Sequence, residues 1–253
     1  CHRVTGVQTC ALPILMRKWK YIIISIAIIV TSLLIVKVKN ASADVMEYMP
    51  VSNKIVVLDA GHGGIDPGAM NKDKTILEKD INLEITKKLR DLIEASGGTV
   101  IMTRDKDVSL YEEDGNKTTR QKYNENLRNR KKIIDESDAD IFVSIHLNAF
   151  EQSKYYGAQT FYPKGNDDGK ELAQFVQDEL KRVVDEDNDR KIKPRDDIYL
   201  LKNAKMPSIL IECGFLSNEK ESQLLADSKY QDKIAWAIYV GIQKYLTGIA
   251  ENN

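Results

Sequence analysis

Short apolar runs ending on polar or glycine-rich turns, separated by stretches with helical spacing, constrain this chain more than any other feature. Lys54–Asp59 (KIVVLD) runs straight into AGHGGIDPGAM, and Thr99–Thr103, Ile141–Ile145, Ala158–Tyr162, Ile198–Leu201 and Ser208–Glu212 have the same strand character. Between them, residues 80–96 place Ile81, Ile85, Leu89, Leu92 and Ile93 on one helical face before Gly97-Gly98 ends the segment. Residues 118–136, 169–184, 217–226 and 229–246 are further expected helices. Strands alternating with helices predict one α/β domain with helices on both faces of a mostly parallel sheet.

The first 53 residues follow a different pattern. Residues 1–15 show no structural logic and read as sequence upstream of a natural start at Met16. Arg17, Lys18 and Lys20 then precede an apolar run from Tyr21 to Val36, and Ala41-Ser42-Ala43 supplies a small-residue cleavage pattern. Residues 16–43 are therefore expected to be a signal peptide or an N-terminal membrane anchor, 44–53 a linker, 54–247 the catalytic domain and 248–253 a tail. With the basic residues leading, the domain lies outside the cytoplasm. All 38 acidic residues fall beyond residue 43, whereas six of the 37 basic ones precede it, so the domain is net acidic. That balance argues against nucleic acid as a partner, because such binding rests on neutralising phosphates. Cys213 is the single cysteine of the domain, so any metal there must be held by His, Asp or Glu.

In α/β sheets ligands bind where strands end, and three polar residues stand at such ends. His62 follows the first strand, His146 ends IFVSIH, and Glu212 ends SILIE. One such histidine is ordinarily structural. Two at matching strand ends beside a carboxylate match a catalytic zinc set with one exchangeable position. Glu78 is either a carboxylate of that set or a helix-start acid favoured by the macrodipole. Glu212 follows Ile209-Leu210-Ile211, where a charge is costly unless paired or functional. Cys213 should face away from Glu212 into the core, since adjacent strand residues alternate, which argues against a cysteine nucleophile.

Six ordered blocks, LDAGHGGIDPGA (58–69), LEKDINLEI (77–85), VIMTRD (100–105), VSIHLNAF (143–150), GAQTFY (157–162) and MPSILIECGFLSN (206–218), resemble the zinc-dependent N-acetylmuramoyl-L-alanine amidases of the amidase 3 type. Within that family the chain is most similar to the small membrane-anchored cortex amidases of spore-forming bacteria. The resemblance implies a single three-layer domain on a twisted, mostly parallel six-stranded sheet with helices on both faces, and one catalytic Zn2+ held by His62, Glu78 and His146, with Glu212 as the catalytic carboxylate. It also implies peptidoglycan as the substrate, cleaved between N-acetylmuramic acid and L-Ala, and a location at the membrane or in the wall, including the forespore intermembrane space. Arg104, Arg120 and Arg130 are either surface arginines or contacts for stem-peptide carboxylates, and Asn148 orders either the substrate or its own loop. Two rivals remain: another zinc peptidoglycan hydrolase, such as a stem-peptide carboxypeptidase, and a non-catalytic wall-binding protein. An activating partner protein is left open.

Overall fold

The computed structural model describes residues 12–113 and 115–248, with the side chains of 12–18 and 40–48 excepted. The assignment of residues 1–15 as upstream sequence thus falls largely outside the described residues, as does the tail beyond Gly248. The chain divides into two units, Cys1–Tyr48 and Met49–Asn253.

The first unit holds one helix, α1 (Leu12–Tyr48), in which Trp19–Lys39 is long and apolar enough to cross a membrane. Its described side chains are all exposed. Thr31 and Ser32 interrupt the apolar run, yet their hydroxyls donate to the carbonyls of Ala27 and Ile28, so neither leaves an unsatisfied donor in an apolar surrounding. The expected linker divides at Tyr48. Helix α1 continues through that residue, and the second unit already includes Val51, which is fully buried and donates its N–H to Gln243.

The second unit contains a six-stranded sheet of β1 (Ile55–Ala60), β2 (Thr99–Met102), β3 (Ile141–Asn148), β4 (Gln159–Pro163), β5 (Lys193–Arg195) and β6 (Ser208–Phe215), in the order β2-β1-β3-β6-β4-β5. The four strands from β2 to β6 are parallel; β4 runs antiparallel to β6 and parallel to β5. The helices are α2 (Glu78–Ala95), α3 (Thr119–Glu136), α4 (Asp167–Val183), α5 (Glu219–Ala226) and α6 (Ser228–Thr247). Strand alternation decides the layers. Val56, Leu58, Val143, Ile145, Ile209 and Ile211 pack with α2, α4 and α6, while Val57, Phe142 and Leu210 pack with Ile134 of α3, Leu200, Leu201 and Met206. Cys213 is buried in the first cluster, on the side away from Glu212 that alternation requires.

The expected fifth strand is displaced. Ile198–Leu201 forms a tight turn in which the Ile198 carbonyl accepts N–H groups from Leu201 and Lys202, and its leucines seal the α3 face. The strand lies instead at Lys193–Arg195, where Pro194 cannot donate to a central ladder but is tolerated on a sheet edge.

Asp59 is fully buried in β1 and accepts hydrogen bonds from Arg130 Nη1, Thr103 Oγ1 and Ser144 Oγ, each at 2.7 Å. Burial opposes its ionisation, but Arg130, His146 and the two hydroxyls outweigh that and lower the carboxyl from 3.8 to about 2. A depressed carboxyl stabilises the fold above its unfolded pKa, and that stability disappears as pH falls from about 4 through 2, a contribution of about 2 kcal/mol. Asp59→Asn is expected to remove this step from the pH profile of urea unfolding. Because it leaves Arg130 without its counter-ion, it should also lower stability at neutral pH by about 3–5 kcal/mol.

Candidate metal centre

The parallel register of β3 and β6 sets His146 directly opposite Glu212. Strand β1 ends one residue before the Gly61-His62 turn, and Gly61 N–H donates to Ile145 O at 3.0 Å, so His62 is delivered beside His146. The two imidazoles meet edge to face with ring centroids 4.9 Å apart. His62 adopts a left-handed conformation (φ 63°), which turns its side chain off the strand direction at some backbone cost.

Glu78 closes the group as the first residue of α2, two positions earlier than helical periodicity places that start. Leu77 at the N-cap offers no capping side chain, so the usual sequence signal for a helix start is missing. The Glu78 carboxylate folds back and accepts the Ala69 N–H at 2.7 Å and the Leu147 N–H at 2.9 Å. Its Oε1 lies 3.1 Å from both His62 Nε2 and His146 Nδ1. Burial works against ionisation of Glu78, yet the hydrogen bonds from both histidines outweigh it and hold the carboxyl far below the usual range. Burial likewise disfavours charged His62, but Asp66 and Glu78 raise it to about 10.

One ligand atom from each of His62, Glu78 and His146 lies within 4.8 Å of the others, and no other such group occurs among the described residues. Two glycines keep the space open. A Cβ on Gly61 would lie 2.2 Å from His146 Cε1, and one on Gly68 (φ 68°) would lie 2.6 Å from Glu78 Oε2 and 2.7 Å from His62 Cδ2. Two imidazole nitrogens, an ionised carboxylate and a cradle that admits no methyl group suit a divalent cation. The donor set matches that of catalytic zinc, which keeps one position for water or substrate.

Glu212 stands apart from these three. Its Oε2 is buried and meets no hydrogen-bond donor. Burial, more than any neighbour, raises its carboxyl to about 6, against the opposing pull of His146. A carboxylate held near neutrality with an unused oxygen can take up and return a proton. Asp66, to which sequence pattern draws no attention, accepts a hydrogen bond from His62 Nδ1 at 2.7 Å through Oδ2 while its Oδ1 receives the Gly68 N–H. An acid four residues beyond a histidine in a glycine-rich turn was the available signal.

The arginines expected as substrate contacts are placed differently. Arg104 and Arg130 are 3% and 1% exposed, and both turn inward to backbone carbonyls behind the His62 turn. Arg104 does not border the cavity beside His62 and His146, whereas Arg130 is among the residues that line it. Arg120 lies exposed on α3. Asn148 ends β3, and its carbonyl accepts the Leu216 N–H at 2.8 Å, joining the ends of β3 and β6. A cavity of about 190 Å3 beside His62 and His146 extends past Tyr123 and Leu127 to Leu200.

Fold and site together describe a hydrolase of the α/β class. Residues 56–244 match the N-acetylmuramoyl-L-alanine amidase family, and the chain belongs to it. It is 45% identical over 199 residues to the germination-specific N-acetylmuramoyl-L-alanine amidase of Bacillus subtilis, covering 79% of this chain and 82% of that protein. A solved amidase, CwlD from Clostridioides difficile in complex with the GerS lipoprotein, is 72% identical with a TM-score of 0.77, covering 78% of this chain and all of that one. An N-acetylmuramoyl-L-alanine amidase from Clostridium difficile 630 is 34% identical with a TM-score of 0.66, over 79% of this chain.

Gly61→Ala is expected to push the His146 ring off its position and weaken divalent-metal binding by about 10–100-fold, the range for changes that disturb ligand orientation. Isothermal titration with zinc checks this, and wild-type affinity in the variant would contradict it.

Proposed function

We propose that this amidase hydrolyses the amide between the lactyl group of N-acetylmuramic acid and L-Ala of the stem peptide, using one Zn2+ held by His62, Glu78 and His146. The observation that carries the mechanism is Glu212 Oε2, buried without a partner on the strand register of His146. When bound, the zinc supplies a Lewis acid that polarises the scissile carbonyl and makes water nucleophilic near neutral pH. Glu78 and the two histidines would hold the cation, and Asp66 fixes the ring of His62. Glu212 takes the proton of the attacking water and returns it to the leaving amine of L-Ala. The four positions are intact, which speaks against a non-catalytic wall-binding protein.

The relatives support a biological setting as well. Similarity to a germination-specific amidase supports action on spore cortex, where removing stem peptides exposes muramic acid for lactam formation. The apolar stretch Trp19–Lys39 supports anchoring or export to the outer face of a membrane, including the forespore intermembrane space. The relative solved with the GerS lipoprotein supports an extracytoplasmic lipoprotein as a partner here.

Digestion of purified peptidoglycan by the full chain in detergent, read by mass spectrometry, tests the reaction. Stem peptides with a free L-Ala amino terminus and bare glycan strands are expected, lost on chelation and regained with zinc. Release of D-Ala alone would instead identify a carboxypeptidase. Glu212→Gln should keep its zinc and lose about 10²–10⁴ in rate; undiminished turnover would remove Glu212 from the role of base.

A further inference from the structure

Two arginines lie behind the turn that carries His62, and their surroundings differ in one respect. Arg130 has a counter-ion, since its Nη1 donates to Asp59 Oδ1 at 2.7 Å and to Ala60 O at 2.7 Å, and its Nη2 donates to His62 O. None of the hydrogen bonds of Arg104 goes to a carboxylate. Its Nε donates to Ala60 O at 2.8 Å, its Nη1 to Lys106 O at 3.2 Å, and its Nη2 to both Gly61 O at 2.9 Å and Lys79 O at 2.7 Å. A buried charge hydrogen-bonded only to carbonyl oxygens, with carboxylates acting on it from a distance, is a costly arrangement. Burial, together with the neighbouring Arg130 charge, lowers the guanidinium to about 10.

The two carbonyls joined by Nη2 belong to residues adjacent to metal ligands. Gly61 precedes His62, and Lys79 follows Glu78. These segments are separate in sequence, one the turn after β1 and the other the first turn of α2, which lacks a side-chain cap. The fit is close enough that a Cβ on Gly63 would lie 2.8 Å from Arg104 Nε.

We propose that Arg104 is a positioning residue for the cation centre, whose guanidinium ties the His62 turn to the start of α2 and thereby sets the His62–Glu78 separation. It touches neither substrate nor cation. The proposal rests on the zinc assignment made above. A lysine keeps the charge but lacks the planar fork that donates to four carbonyls, so Arg104→Lys separates charge from geometry.

The experiment measures zinc dissociation constants of the full chain in detergent, by competition with a chromophoric chelator, beside thermal unfolding of the zinc-free protein. Arg104→Lys is expected to weaken zinc binding by about 10–100-fold, with turnover on peptidoglycan recovered at saturating zinc. Ile238→Val, in the core of α6 and away from the site, controls for stability: it should lower the unfolding temperature and leave zinc affinity unchanged. Wild-type zinc affinity in Arg104→Lys overturns the assignment while the zinc reading stands. Failure of both Arg104→Lys and Arg104→Gln to fold with zinc present overturns it too, because Arg104 then serves the fold as a whole. If the wild type itself binds no zinc, the cation assignment falls and this proposal falls with it.

Discussion

A single carboxylate, that of Glu78, binds three parts of the chain at one point. Its Oε1 lies within hydrogen-bond distance of His62 after β1, of His146 near the end of β3, and of the Leu147 N–H, while its Oε2 receives the Ala69 N–H from the turn itself. In a buried setting an ionised carboxylate is tolerated only when its lone pairs are occupied. Its environment therefore compels His62, His146 and the start of α2 to converge. The same convergence gathers two nitrogens and an oxygen around one point, a grouping whose donor set suits a metal ion.

The loop geometry follows from that requirement. His62 sits in the left-handed region, a conformation disfavoured for a residue with a side chain, and the carbonyls of Ala60, Gly61 and His62 all turn toward buried arginines. Strain of this kind persists where surrounding contacts over-determine it. Here the over-determination comes from Arg104 and Arg130 on one side and from Asp66 and Glu78 on the other. Glycine at 61 and 68 allows the approach, because a methyl group at either position would overlap a ligand side chain. Glu212 is positioned by different means. Parallel register places it across from His146, and no donor reaches its Oε2, which leaves a carboxylate oxygen unengaged beside the His62, Glu78 and His146 group.

Much of this was legible in the residues. Alternating apolar strands and amphipathic helices sufficed for an α/β domain of six strands, because period and turn chemistry are local properties. His62, His146 and Glu212 could be singled out because polar residues at the ends of apolar strands are conspicuous. Other features were hidden. The start of α2 at Glu78 carries no capping side chain, and β5 contains a proline while the more strand-like Ile198–Leu201 closes into a turn. In each case local propensity was overridden by where the segment sits, at a sheet edge or against the α3 face.

Arg104 and Arg130 mark the boundary most clearly. By sequence they are basic residues in polar surroundings, equally suited to solvent or to a substrate carboxylate, and only the folded chain shows both beneath the His62 turn. Sequence by itself determined the fold class, the two histidines and the strand-end carboxylate, because period-two alternation and the cost of burying a charge can be read one segment at a time. Tertiary structure alone decided that the Glu78 carboxylate reaches both His62 and His146, that Asp66 braces His62, and that the arginines are buried beneath the His62 turn. Each of those outcomes depends on distances between segments far apart along the chain, and such distances are settled by the packing of α2 and α3 against opposite faces of the sheet.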